Sequence, residues 1–415
     1  MNTSEKLYHP GKTGIWIAGA LGDIAVTLIT GTLSMRHGLS SRSGLCTELP
    51  PVNGLSLTSL DQLVFGGVDI IDRSICDVAE SIYRNSKTFS RELLDTVADE
   101  IGLIDAQIAI MPELSWQASG ATDSSCTLVQ LIDRLRKRIR QFREHNGVDH
   151  VVVVNLTSAE ESTPDVPEKA TLEGLQRLIA DERRDLLTPG IIYTYTALLE
   201  GCSYLNFTSN SGPELAALQE LALRERLPFY GNDGKTGETL IKTALAPLFA
   251  CRNLQVLSWE GVNMLGNSDG STLHDPTKRA AKLANKEQVI SRILGYSPHA
   301  DVAINYVPSL GDWKTAWDLI HFQGFLDVRM SMQFTWQGCD SILAAPLILD
   351  MARLSEFAWR HGESGPMHHL AAFFKNPVGV EEMAFYPQFE MLLAYAHRHL
   401  GPEKSGKSLF STAVP

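Results

Sequence analysis

The sequence predicts an α/β protein in which a β-rich segment interrupts a domain built on a parallel sheet. Three observations carry that prediction. Thr13-Gly14-Ile15-Trp16-Ile17-Ala18 reads as a buried strand, and Gly19-Ala20-Leu21-Gly22-Asp23-Ile24-Ala25 as a tight turn opening a helix. Strand–turn–helix is the setting in which a dinucleotide pyrophosphate rests on backbone N–H groups. The glycine pattern is incomplete, so an ordinary strand–helix turn has the same outline. Strands and helices then alternate through the first half of the chain. Beyond Thr239 the texture turns β-rich, and helical character returns near Asp340.

In chain order, Lys12–Ala18 and Val151–Leu156 are β-rich runs, and Leu128–Glu144 is a helix with basic residues on its exposed side. Leu215–Arg226 is a further helix. Val256–Trp259, Ala300–Tyr306 and Phe325–Phe334 read as strands, and Ser341–Arg360 and Gln388–His399 as helices. Thr157–Glu168 and the tail from Gly401 read as solvent loops, with Glu160-Glu161 at a solvated edge. The expected division is a Rossmann-type domain of residues 1–238 and 340–415 around an α+β insertion of residues 239–339.

Composition narrows the function. A chain of 415 residues is long enough for two domains, and 44% hydrophobic content without a long apolar run suits a water-soluble protein. The start, Met1 to Lys6, lacks the basic-then-apolar order of a secretory signal. The six cysteines form no Cys-x-x-Cys pair, so neither a disulfide framework nor a zinc ribbon is suggested, and the cytoplasm is the expected compartment. A net charge of −12 disfavours nucleic acid and anionic membranes. His368-His369 lacks acidic partners and a metal-binding frame, so it reads as structural and no metal is expected.

Two segments suit a phosphorylated, hydroxyl-rich ligand. Tyr230-Gly231-Asn232-Asp233-Gly234-Lys235-Thr236-Gly237-Glu238-Thr239 leads into an apolar helical pattern. The N–H groups of Thr236, Gly237, Glu238 and Thr239 would then face an anion, with Lys235 beside them. The glycine spacing is not that of a Walker A loop, and a plain capping box is the alternative. Further on, Asn263-Met264-Leu265-Gly266-Asn267-Ser268-Asp269-Gly270 crowds polar side chains around two glycines. Asp275-Pro276 is a good helix start, and Lys282 and Lys286 would share one face of that helix, with Lys278 and Arg279 near. A lysine pair at that spacing also reads as a solvated basic face.

Together these segments resemble the myo-inositol-1-phosphate synthase (inositol-3-phosphate synthase) family over nearly the whole chain. Val64-Phe65-Gly66-Gly67-Val68-Asp69-Ile70 matches a family signature, as does the strand leading to Asn155-Leu156-Thr157. Asn206-Phe207-Thr208-Ser209-Asn210, Gly311-Asp312-Trp313-Lys314 and the run from Cys339-Asp340 complete the order. The resemblance implies NAD as cofactor, a hexose 6-phosphate as substrate and a homotetramer formed through the inserted sheet. It implies an isomerisation with a hidden redox cycle: oxidation beside the phosphate-bearing carbon, loss of a proton from that CH2, intramolecular aldol closure, and re-reduction by the same cofactor.

Under that resemblance, Gly19, Ala20, Leu21, Gly22, Asp23, Asp69, Ile70, Asn155, Thr157, Asn206, Asp233, Asn267 and Asp269 fall to cofactor binding. Lys235, Thr236, Gly237, Glu238, Thr239, Asn263 and Lys286 fall to substrate binding. Lys282 would serve the oxygen that is oxidised and re-reduced, and Lys314 the aldol oxygen, since ammonium groups in a dry site stabilise oxyanions. Crowding by other cations would let Lys282 exchange protons near neutrality. Asp312 and Asp340 would orient the lysines. Asp340 as a plain helix N-cap and Lys314 as a surface lysine are the structural alternatives.

Some positions depart from the pattern. Asp23 stands where asparagine is usual, Ala20 for a glycine, Met264 for a histidine and Ser268 for an asparagine. A usual lysine before the last helix is missing from Ala384–Met391, and Lys375 belongs to an earlier Phe-Lys-x-Pro match. That divergence leaves open a five-membered-ring cyclase acting on fructose 6-phosphate, as in carbocyclic nucleoside biosynthesis. A silent NAD-binding regulatory homologue is a further alternative.

Overall fold

Two separate sheets organise the chain, whose computed structural model describes residues 10–119, 126–266 and 289–401. The first sheet takes β1 (Thr13–Ala18), β2 (Leu63–Asp69), β3 (Ile108–Ile110), β4 (His150–Asn155), β5 (Ser203–Asn206) and β6 (Pro228–Gly231). The second takes β7 (Gln255–Leu265), β8 (His299–Tyr306), β9 (Trp313–Gln323) and β10 (Arg329–Cys339). A last short strand, β11 (Gly365–Pro366), returns to the first sheet.

The first sheet has seven strands in the order β11-β6-β5-β4-β1-β2-β3, all parallel. This is the doubly wound, Rossmann-like arrangement, with its switch point between β1 and β4. Central strands are buried on both faces, so β4 reads His-Val-Val-Val-Val-Asn without polar alternation. Odd and even side chains still part. Ile15, Ile17, Val152 and Val154 face one helical layer, while Trp16, Ala18, Val151 and Val153 face the other. The first layer holds α1 (Asp23–Arg36), α2 (Ile75–Asn85) and α3 (Arg91–Asp105). The second holds α4 (Leu128–Asn146), α5 (Leu172–Ala180), α6 (Pro189–Leu199) and α7 (Ala216–Arg224).

The long helix α4 shows how local signals set an element. Thr127 and Gln130 form a capping box at its start, and Gly147 ends it in the left-handed region at φ 58°. Its buried stripe of Leu131, Ile132, Leu135, Ile139 and Phe142 lies against the sheet. Phe142 fits because glycines lie under its ring. A Cβ on Gly66 would stand 2.7 Å from the ring, and one on Gly14 2.6 Å from it.

The chain leaves the first sheet along α8 (Gly237–Cys251) and re-enters through α9 (Asp340–Arg360) before the final α10 (Phe385–Leu400). The second sheet, ordered β10-β9-β7-β8, is mixed: β7 pairs parallel with β8, and β9 runs antiparallel to both β7 and β10. One of its faces packs Val256, Trp259, Ile320 and Phe322 on Ala246 and Phe249 of α8.

Two readings of this segment need correction. Trp313–Gln323 is a full strand that the sequence does not announce, because charged and polar residues interrupt its alternation. The strand expected from Phe325 starts only at Arg329. Phe325–Asp327 is a turn, with Leu326 and Asp327 at φ 60° and 59°, where no strand can run. His369 is structural: it stacks on Tyr395 at 3.7 Å between ring centres, and burial lowers its pKa to about 3.

Phe142→Ala should therefore cost about 3–5 kcal/mol in urea unfolding, because the glycine-floored slot cannot close behind it. A loss under about 1 kcal/mol would show that the ring is not a main tie between helix and sheet.

Candidate active site

The carboxyl ends of the parallel strands open into one continuous cleft. A cavity of about 190 Å³ lies over β1, β2 and β4, lined by Gly19, Gly22, Asp69, Ile70, Thr157 and Tyr193 among others. It adjoins a larger one of about 410 Å³ through a shared rim of Gly22, Arg73, Leu156 and Thr157. The larger cavity reaches the start of α8, the second sheet and the start of α9. Such volumes suit a small polar ligand beside part of a cofactor.

The turn after β1 is built for close approach. Gly19 stands at φ +81°, and a Cβ there would lie 2.9 Å from the Leu156 carbonyl oxygen. Gly19 and Gly22 line the cleft, whereas the Ala20 and Leu21 side chains turn into the core. Asp69, at the end of β2, accepts from the amides of Leu21, Ile70 and Ile71 at 2.8, 2.8 and 3.1 Å. It thereby fixes the turn while bordering the cavity. A glycine turn meeting a helix start, with a carboxylate on the next strand, is what a dinucleotide needs for its pyrophosphate and ribose. The residues present fit NAD.

Asp23 opens α1 inside the cleft. Burial, with Asp312 nearby, holds its carboxyl above the ordinary aspartate range, against the pull of Arg73.

The asparagines expected at the cofactor are buried and shape the loops that line the cleft. Asn155 is fully buried and its Oδ1 accepts from the amide and hydroxyl of Thr157, the residue that faces the cleft. Asn206 is buried too; its Nδ2 donates to the Asn210 carbonyl and to Asn232 Oδ1, and its Oδ1 accepts from Thr208. Phe207, Thr208 and Ser209 of that loop stand on the cleft wall.

Glu160 corrects another expectation. Glu161 is exposed, but the Glu160 carboxylate turns inward and accepts from the Gly190 amide at the start of α6 at 2.9 Å. Burial raises its pKa to about 7.

At the start of α8 the chain sorts its side chains. Thr236 is the N-cap residue but makes no capping bond; its hydroxyl donates to Asp340 Oδ1 at 3.4 Å. Thr236, Glu238 and Thr239 line the cleft, so the positive end of the helix dipole faces it. Lys235 does not join them. Its side chain is buried behind the loop and donates to Gln388 Oε1 on α10, and burial lowers its pKa to about 7 against the attraction of Glu382. Glu238 borders the cleft with both oxygens engaged, by Lys242 at 2.6 Å and Asn263 Nδ2 at 2.6 Å.

Lys314 projects from β9 to the same place. Its Nζ lies 3.8 Å from Asp340 Oδ2 and 3.7 Å from where a Cβ on Gly237 would stand. Asp340 is the first residue of α9, with Cys339 as N-cap, so it is more than a cap. Among the described residues Asp312 pairs with no lysine. It accepts from the Ser341 amide at 3.1 Å and from the Cys339 thiol at 2.8 Å, securing the start of α9. Burial and that bond push the Cys339 thiol up to about 12.

One cation in the cleft comes from outside the stretch where the usual lysine is missing. Lys375, from the stretch after β11, lines the cleft and pairs with Asp233 Oδ1 at 2.9 Å. The sequence held one signal for it: Lys375 is the only lysine between Lys314 and Lys404, and it follows Phe373-Phe374. Asn267, Asp269, Lys278, Arg279, Lys282 and Lys286, with the helix start at Asp275-Pro276, lie outside the described residues.

Comparison with known proteins gives a consistent picture. A profile of the myo-inositol-1-phosphate synthase family matches residues 13–394. The inositol-3-phosphate synthase 1 of Bacteroides thetaiotaomicron is 31% identical over 389 residues, covering 89% of this chain and 90% of that one. Among solved structures, inositol-3-phosphate synthase from Caenorhabditis elegans superposes with a TM-score of 0.82 at 23% identity, over 98% of this chain and 89% of that one. A myo-inositol-1-phosphate synthase-related protein from Thermotoga maritima gives 0.76 at 22% identity, over 93% and 98%.

The buried Lys235 makes a pH prediction. Its pKa falls from 10.5 to about 7 on folding, so the unfolded chain binds more protons across that window and stability should rise with pH through it. Lys235→Met should gain most over the parent at pH about 7 and least at pH about 10, as urea midpoints would record. An offset independent of pH would mean the lysine is not buried as described.

Proposed function

The chain belongs to the myo-inositol-1-phosphate synthase family, and from that premise we propose that it closes glucose 6-phosphate to an inositol phosphate. It is an NAD-dependent isomerase of the intramolecular lyase kind, acting on a hexose phosphate. Glucose as the sugar and a six-membered ring as the product are the proposal.

NAD, held along Gly19, Gly22, Asp69 and Thr157, would supply the transient oxidation that acidifies the neighbouring CH2 and the reduction that ends the cycle. The protein's own groups account for the rest. The start of α8 and Lys375 offer positive charge for the phosphate at one end of the cavity. Lys314, between Gly237 and Asp340, stands where it can hold an oxyanion as a carbonyl oxygen gains charge, and Asp340 keeps its ammonium in place. Lys282 and Lys286 are proposed for the oxygen beside the phosphate and for the phosphate itself. Phe207, Leu265, Ile304 and Ala344 on the walls keep water from the reacting carbons.

One observation carries this reading: Lys314 and Lys375, far apart in sequence, meet in the cavity that adjoins the glycine turn. It also bears on the five-membered-ring alternative. That alternative rests on a cation lacking near the C-terminus, and the place of Lys375 in the cleft supports the six-membered ring. A homotetramer joined through the second sheet is part of the proposal; exposed Phe325, Leu326, Val328 and Met330 at its edge support it.

Phosphorus NMR of purified protein with NAD+ should show an inositol phosphate growing from glucose 6-phosphate and nothing from fructose 6-phosphate. The Lys375→Met variant should lose on the order of a hundredfold of that rate, the usual cost of deleting one charge-stabilising group. Product from fructose 6-phosphate alone would establish the five-membered ring instead, and silence with both sugars would favour a regulatory homologue.

A further inference from the structure

From Glu238 on the cleft wall a group of buried charges runs inward that the proposed reaction does not use. Lys242 Nζ sits 2.6 Å from Glu238 Oε1 and 3.7 Å from Asp318 Oδ1. Trp259 Nε1 donates to the same Asp318 oxygen at 2.8 Å. All three charged side chains are at most 2% exposed. The packing leaves no spare room, since a Cβ on Gly261 would stand 2.7 Å from Glu238 Oε1 and 3.3 Å from both Asp318 Oδ1 and Lys242 Nζ. Buried ions are costly to desolvate and seldom add net stability, so such a group invites a positional explanation.

Asn263 is where that explanation leads. It is 0% exposed, yet it borders the cleft from β7. Its Nδ2 donates to Glu238 Oε2 at 2.6 Å, and its Oδ1 is buried without a hydrogen-bond partner among the described residues. An ionised carboxylate only accepts, so it compels the amide nitrogen to face it. A protonated carboxyl, or an amide in its place, can donate and would let Asn263 turn over. The ammonium of Lys242 faces the other Glu238 oxygen at 2.6 Å.

We infer that Asp318, Lys242 and Glu238 are positioning residues that lock the Asn263 amide, presenting its carbonyl oxygen to the cleft as the acceptor for one substrate hydroxyl. This rests on the proposed sugar-phosphate function and adds a specificity determinant to it. A carbonyl oxygen takes a hydroxyl and repels a phosphate, so Asn263 reads the sugar. Glu238 acts through Asn263 and does not itself touch the ligand.

The test is calorimetric titration of the NAD-loaded protein with glucose 6-phosphate and its 2-deoxy, 3-deoxy and 4-deoxy analogues. In the parent, one analogue should bind at least about tenfold more weakly, because a buried acceptor is left without its donor. Glu238→Gln keeps the shape but offers an N–H₂ group to Asn263, so the amide should turn and that gap should shrink below about threefold. Combining Glu238→Gln with Asn263→Asp exchanges the two groups at constant charge and should restore the gap.

A Glu238→Gln variant with the parent's analogue profile would overturn the inference. So would a paired variant that binds NADH normally but does not regain the profile. If Glu238→Gln no longer binds NADH, the charges merely hold the fold together, and the inference falls. A parent that binds NAD but no hexose 6-phosphate would instead bring down the proposed function, and this inference with it.

Discussion

The position of β1 between two parallel neighbours is the constraint on which the rest depends. Its register sets Ala18 opposite Val68 of β2 and opposite Asn155 of β4. The residues that follow, Gly19, Asp69 and Leu156, therefore emerge at one level. The helical layers part to opposite faces of the sheet, leaving the crevice in which open α/β sheets bind ligands. Asp69 then secures the turn by accepting three amides. A shift of β2 by one residue would exchange its core faces and move that carboxylate away.

The insertion completes the site from the other side. The chain leaves β6 into α8 and comes back through β10 into α9, so the starts of these two helices meet across the Thr236–Asp340 contact. The second sheet lies between departure and return, and its strands carry Asn263 and Lys314 to the cleft wall. Neither sheet alone makes this cavity. The same geometry explains the buried charges below it, where α8 packs on β7 and β9 and Glu238 and Lys242, four residues apart on one helix face, meet Asp318.

What was legible in the sequence was what local chemistry decides. The glycine turn, the valine-rich β4 and the periodic α4 each follow from neighbours within a few residues. The directions of single side chains were not legible. Lys235 and Thr236 are adjacent, yet one goes to Gln388 and the other to the cleft, because partners 153 and 104 residues away decide. Glu160 looked solvated in a polar loop until Gly190 closed on it. Lys375 reads in the sequence as part of a separate Phe-Lys-x-Pro match, whereas β11 returns the chain to the sheet and so sets it against Asp233. Asn155 and Asn206 end β4 and β5, and each braces the threonine two residues on that faces the cleft.

The central claim is that one bound cofactor serves oxidation and reduction inside a single cleft. The most direct measurement is turnover of glucose 6-phosphate deuterated at the carbon beside the phosphate-bearing one, following label in the product and free NADH together. Deuterium retained at that carbon without NADH accumulating is the predicted result. Label lost to the cofactor pool, with NADH growing as the sugar is consumed, would contradict it and describe a dehydrogenase.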